Sequence, residues 1–205
     1  MPPIDDNPEG LLEQARGGDD AARGRLLELY RNYLRVLARS LINQALQVRL
    51  DASDLVQETF MKAHREFAQF LGDGERELVG WLRKILVRTL TNQAKHHCAG
   101  GRDMRRQKSL EEALDRSSLT VQAALASPSA ASPSTRAVRR EEAVLLADAL
   151  ERIPADYREV FILRNLEQIP VEEVATRMGR SVNAVRKLWT RAMLELRREL
   201  ERNDP

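Results

Sequence analysis

The chain has 205 residues, of which 42% are hydrophobic, 31% charged and 4% aromatic, with a formal net charge of +2. Leu, Ala, Arg and Glu dominate, so mostly helix in one or two domains is expected, and collagen-like, disulfide-scaffold and wholly disordered classes are excluded. No apolar run reaches the ~18 residues of a membrane span, the opening MPPIDDNPEG has no apolar signal segment, and the single cysteine, Cys98, has no partner for an internal disulfide, so a cytoplasmic protein without membrane insertion is expected.

The first apolar set, Leu26, Leu27, Tyr30, Leu34, Leu37 and Leu41, recurs at spacings of three and four and lines one helix face. Leu55, Val56, Phe60, Ala63, Phe67 and Phe70 do the same in a second helix, which Asp51 or Ser53 can cap by accepting from free amides. The other side of that helix carries Asp54, Gln57 and Glu58. An i, i+4 carboxylate pair suits a metal or acid–base chemistry only with further ligands nearby, and none is evident. A docking surface for a basic partner explains the acids better; the plain alternative is a solvated polar face.

A break at Gly72-Asp73-Gly74 precedes a third helix, with Leu78, Trp81, Leu82, Ile85 and Thr89 turned inward. Its outer face carries Lys84, Arg88, Asn92 and Lys95 at steps of three and four, followed by Arg102, Arg105, Arg106 and Lys108. A cationic stripe of this length suits a phosphate backbone, and Arg88 and Asn92 can also bond exposed bases of an opened strand.

Residues 116–137, RSSLTVQAALASPSAASPSTRA, are rich in Ser, Ala and Pro and lack an apolar stripe. They read as a flexible linker between a first domain, 1–115, and a second, 138–205. The second domain predicts about four helices: 138–152, one carrying Tyr157, Val160, Phe161 and Leu163, a short one over 171–178, and one over 182–200. The segment VEEVATRMGRSVNAVRKLWT has the marks of a helix-turn-helix. Val174 and Met178 face a core, Ala175 allows close helix approach, and Gly179 supplies the left-handed turn. Ser181 caps the next helix, and Val185 and Leu188 face back. Ser181, Asn183, Arg186, Lys187, Thr190 and Arg191 then lie outward, with side chains able to reach base edges and phosphates in a major groove. An ordinary helical hairpin with a polar outer face is the competing reading.

Charge placement agrees. Residues 51–80 carry seven acids and three bases; 81–108 carry eight bases and one acid; 177–198 carry seven bases and one acid. Two separated basic blocks suit two contacts with a polyanion.

In this order, DASDLVQETFMKAHREF, GWLRKIL and IPADYREVFILRNLEQIPVEEVATRMGRSVNAVRKLWTRAMLELRREL resemble an extracytoplasmic-function (ECF) sigma factor of bacterial RNA polymerase. The resemblance implies an all-α protein of two small helical domains joined by the linker, the second containing the helix-turn-helix. It implies a transcription initiation factor, not an enzyme, that binds core RNA polymerase and helps open promoter DNA. Asp54, Gln57 and Glu58 would dock onto the clamp helices of the largest subunit. Lys84, Arg88, Asn92 and Lys95, with the loop near 70–80, would engage the non-template strand of the −10 element. Ser181, Asn183, Arg186, Lys187, Thr190 and Arg191 would read the −35 element as duplex. The second domain would also touch the flap of the second-largest subunit, and an anti-sigma factor is a further partner the family admits. No cofactor and no metal are implied.

Three positions depart from the family pattern: Arg88 and Asn92, where asparagine and aspartate are common, and Pro170, where Ser or Thr usually caps. The first two shift the −10 base preference; the third alters the approach into the helix without losing the fold. The 22-residue linker reaches about 73 Å extended and ~26 Å relaxed. It therefore spans the roughly 35–70 Å between the two DNA contacts when stretched, and docking onto polymerase would offset part of that cost. Two other readings compete. A stand-alone helix-turn-helix regulator with an effector or dimerisation domain needs no acidic docking helix. A metal enzyme using His96, His97 and Cys98 would need three consecutive residues, which point around a helix, to converge on one ion.

Overall fold

The computed structural model describes residues 7–44, 50–97, 112 and 133–202. The chain divides into two compact units, Met1–Leu114 and Asp115–Pro205. Among the described residues there is no β-strand, and no helix is long and apolar enough to cross a membrane.

The first unit contains α1 (Pro8–Arg16), α2 (Asp20–Leu29), α3 (Arg31–Gln44), α4 (Ala52–Glu66) and α5 (Glu75–His97). Short polar side chains start three of them. Asn7 accepts from the Glu9 amide at 3.2 Å, Asp19 from Ala21 and Ala22 at 2.8 and 2.9 Å, and Asp51 from Ser53 and Asp54 at 2.6 and 3.4 Å. Asp51, not Ser53, is thus the cap of α4.

The Leu26–Leu41 stripe is one apolar face carried by two helices. The chain bends at Tyr30 (φ −99°, ψ 4°) between α2 and α3. Tyr30 is buried, and its hydroxyl donates to Glu75 Oε1 at 2.9 Å, at the start of α5. Leu26, Leu34, Leu37 and Leu41 of α2 and α3, and Leu55, Leu78, Leu82, Leu86 and Leu90 of α4 and α5, are all fully buried, and α3 packs against both α4 and α5. Each such leucine contributes roughly 1.5–3 kcal/mol relative to an exposed one.

Between α4 and α5 the chain makes a 3₁₀ turn over Phe67–Gln69. Phe67, Phe70 and Trp81 form an aromatic trio with centroids 5.3–6.1 Å apart, and Arg16 and Arg23 lie over two of its rings. Gly72 is required here: a Cβ would sit 2.2 Å from the Glu77 Cβ and 2.7 Å from the Phe70 ring.

The second unit contains α6 (Pro133–Arg152), α7 (Ala155–Phe161), a single π turn (Ile162–Leu166), α8 (Val171–Arg177) and α9 (Val182–Arg202). Helix α6 begins inside the segment read as linker, because a proline in the first helical turn gives up no hydrogen bond. Arg158 donates to the carbonyls of Leu150 and Glu151 at 2.7 and 2.8 Å and so ties off the end of α6. Val160, Leu163, Ile169, Val174, Ala175, Val185 and Ala192 form the core, with Met178 and Leu188 packed on it.

Gly179 adopts φ 62° in the turn between α8 and α9, and Ser181 Oγ accepts from the Ala184 amide at 3.2 Å. Pro170 stands at the N-cap of α8 without a side-chain bond, while its carbonyl accepts from Val174 at 3.0 Å. The helix is intact and one capping bond is missing.

Candidate nucleic-acid interface and docking face

Helix α4 buries Leu55, Val56, Thr59 and Ala63, and Asp54 and Gln57 stand exposed on the opposite side. Glu58 is different. It pairs with Lys62 at 2.7 Å and accepts from the side-chain amide of Gln93 on α5. Burial opposes its charge, but Lys62, Gln93 and Arg65 outweigh that and hold its carboxyl below the ordinary glutamate value. The two acids are therefore not equivalent: Asp54 is exposed at the surface, and Glu58 is half-buried in the α4–α5 seam. Asp51 is also held low, chiefly by the Ser53 amide it caps.

The exposed face of α4 continues into a feature the sequence reading missed. Phe60, Met61, His64 and Arg65 line an open groove with Gly24, Leu27, Glu28 and Arg31. Arg31 pairs with Glu28 at 2.5 Å and lies over the Phe60 ring at 5.1 Å. Phe60 fits the apolar stripe by spacing, so its half-exposed ring had no signal of its own in the sequence.

Helix α5 is buried on most of its circumference, through Leu78, Val79, Leu82, Ile85, Leu86, Val87, Thr89, Leu90 and Thr91. Lys84, Arg88 and Asn92 are exposed along the remaining strip. The helix thus brings these three to one surface. Arg88 forms an ion pair with Glu66 of α4, a partner 22 residues away that helix spacing cannot reveal. Lys62 donates to Thr89 at 3.3 Å, so the seam beneath the strip is polar. The side chains of Lys95, His96 and His97, and the residues Cys98, Arg102, Arg105, Arg106 and Lys108, lie outside what is described. Among the described residues no group of three His, Cys, Asp or Glu could hold a metal.

In the second unit, Ser181 at the cap of α9 and Asn183, Arg186, Lys187, Thr190 and Arg191 on its N-terminal half are all exposed. No acid among the described residues pairs with Arg186, Lys187 or Arg191, whereas Arg177 is paired with Glu173 at 2.6 Å and Arg180 with Asp156. The unpaired cations are therefore concentrated on the outer face of the second helix of the motif. Trp189 donates from Nε1 to Asn165 at 2.9 Å, which holds α9 against the π turn and fixes that face. Such a helix, presenting Asn, Arg, Lys and Thr from its first turns, has the chemistry and dimensions to enter a major groove.

Comparison with known proteins adds a family. Residues 26–97 match the family "Sigma-70 region 2", and residues 143–196 match "Sigma-70, region 4". The ECF RNA polymerase sigma-E factor of Haemophilus influenzae is 29% identical over 184 residues, covering 90% of each chain. That of Escherichia coli (strain K12) is 29% identical over 182 residues, covering 89% of this chain and 88% of the other. Among solved structures, the RsbN–BldN complex aligns with 91% of this chain at 22% identity and a TM-score of 0.33.

Proposed function

This chain belongs to the sigma-70 family as an ECF sigma factor that directs RNA polymerase to promoters, and we propose a division of that work among its three surfaces. Asp54 and Gln57, backed by Glu58, dock on the clamp helices of the largest polymerase subunit. Lys84, Arg88, Asn92 and Lys95 engage the −10 element as it opens. Ser181, Asn183, Arg186, Lys187, Thr190 and Arg191 read the −35 duplex, while the second unit also meets the flap of the second-largest subunit. The boundaries of the work are 1–115 for docking and −10 contact, 116–137 for the tether and 138–205 for −35 contact. The protein acts in the cytoplasm, and an anti-sigma factor is a further partner the family admits.

The observation that carries this reading is the separation of charge by surface. The exposed face of α4, with Asp54 and Gln57, suits a basic partner, and the exposed strips of α5 and α9 carry cations and amides. Polymerase supplies the chemistry of RNA synthesis; this chain supplies attachment and sequence. A stand-alone regulator is disfavoured, since its first domain would have no reason to match sigma-70 region 2.

The test is site-specific crosslinking in the reconstituted complex on a promoter. A photocrosslinker at Gln57 should reach the largest subunit, one at Asn92 the non-template strand near −10, and one at Asn183 the duplex near −35. Crosslinks from Asn92 confined to protein, or from Asn183 to no DNA, would reject the assignment.

A further inference from the structure

Arg88 is the one cation of the described α5 strip that is held by an acid of another helix. Its side chain keeps 51% of its exposure and that of Glu66 31%. Only Nη2 is engaged, so the planar guanidinium keeps one pair of parallel N–H groups for a second acceptor edge.

Pinning changes what that edge can recognise. A phosphate brought to Arg88 also approaches the Glu66 carboxylate, so like-charge repulsion removes much of the attraction. A neutral base edge suffers no such repulsion and gains from a fork whose rotamer is already fixed. Two adjacent acceptors are needed to fill two parallel N–H groups. On the major-groove edge, the one a paired base presents, guanine offers N7 and O6; adenine sets a donor beside N7, cytosine offers a donor, and thymine offers one acceptor beside a methyl. Lys84, one turn away and without an acid partner among the described residues, is the better phosphate contact.

Building on the −10 role proposed above, we infer that Arg88 reads the major-groove N7 and O6 edge of a guanine in the −10 region while that base is still paired, with Glu66 as its positioning residue. Replacing the usual asparagine by arginine then changes the base that is selected, instead of adding one more phosphate contact.

The experiment uses the full chain with core RNA polymerase and promoters randomised across the −10 region, sequencing the DNA recovered in open complexes. The wild type should enrich guanine at one position by about tenfold over the other bases. Arg88→Ala should abolish that enrichment and leave selection at other positions intact. Arg88→Lys, which keeps charge without the fork, should not restore it, and Glu66→Gln should weaken it severalfold. Selection elsewhere in the same library shows that each variant is folded and loaded. A selected −10 element with no guanine dependent on Arg88 would overturn the inference alone. So would an Arg88→Ala loss that is uniform across sequences and accompanied by a shallower salt dependence, which marks a phosphate contact. A library flat at every −10 position would overturn the −10 role as well.

Discussion

Glu58 on α4 accepts a hydrogen bond from Gln93 on α5, and that bond joins the helix that carries Asp54 and Gln57 to the helix that carries the strip of Lys84, Arg88 and Asn92. The two surfaces of the first unit are built on one polar seam, in which Lys62 also reaches both Glu58 and Thr89. The polar residues of α4 therefore have two separable jobs. Asp54 and Gln57 are exposed and face outward, and Glu58 holds helices together.

Docking should follow that separation. Asp54→Lys with Gln57→Lys should lower affinity for core RNA polymerase at least about tenfold, by reversing a charge at a complementary rim, and leave the urea unfolding midpoint unchanged. Glu58→Ala should lower the midpoint too, by about 1–2 kcal/mol of stability, because Lys62 and Gln93 lose their partner. Affinity measured by anisotropy alongside urea titration separates the two effects.

The seam also predicts a pH dependence. The Glu58 and Asp51 carboxyls are held below their ordinary values in the folded chain. Their stabilisation is therefore fully present above the unfolded-state values and is lost as pH falls through the lowered folded values. Stability of the first unit should fall on the acid side of the usual carboxylate range. Glu58→Gln and Asp51→Asn should each flatten that acid limb, with Asp51→Asn keeping the cap itself. Urea midpoints taken across the acid range would show it; an unchanged slope in both variants would reject it.

Two glycines in the first unit should behave oppositely. Gly72→Ala forces a Cβ against Glu77 and the Phe70 ring and should destabilise by about 1–3 kcal/mol. Gly80 lies inside α5 with nothing within 4 Å of a Cβ. Gly80→Ala should stabilise by about 1 kcal/mol. Thermal melting of the two variants reads both signs.

In the second unit, Gln168 sits at φ 55°, the one non-glycine residue with positive φ among those described. A left-handed conformation costs a side chain about 1–2 kcal/mol, partly offset by the greater chain entropy that glycine loses. Gln168→Gly should therefore stabilise this unit by about 0.5–1 kcal/mol, seen as slower amide exchange in α8. Faster exchange would show that the side chain stabilises the turn.

The parts legible in the sequence are those fixed by neighbours within a few residues. The leucine spacings gave the helix faces, Gly179 and Ser181 gave the turn and cap of the helix-turn-helix, and Arg186, Lys187 and Arg191 gave its outer face. What was not legible depends on partners far along the chain. The bend at Tyr30 is fixed by a bond to Glu75, 45 residues on. Glu58 is tied up by Gln93, 35 residues on, and Arg88 by Glu66. The half-exposed ring of Phe60 looks like core by spacing, since periodicity gives the face but not how deeply the neighbours cover it. The π turn after α7 has no short-range signature either.

The −35 surface makes a further prediction. Arg186→Ala and Lys187→Ala should each reduce promoter-specific initiation from −35-dependent templates by about fivefold or more, the range of a lost base or phosphate contact, without loss of core binding. Initiation that stays at wild-type level in both would place the reading face elsewhere.

The central claim is that this chain gives RNA polymerase a promoter preference the core enzyme lacks. The most direct measurement is reconstituted transcription on a genomic fragment library, with RNA 5′ ends mapped in the presence and absence of the chain. The account predicts new start sites sharing two upstream elements at a fixed spacing near −10 and −35, lost together in the Asp54→Lys, Gln57→Lys double variant. Start sites identical with and without the chain, or new sites that survive that double substitution unchanged, would contradict it.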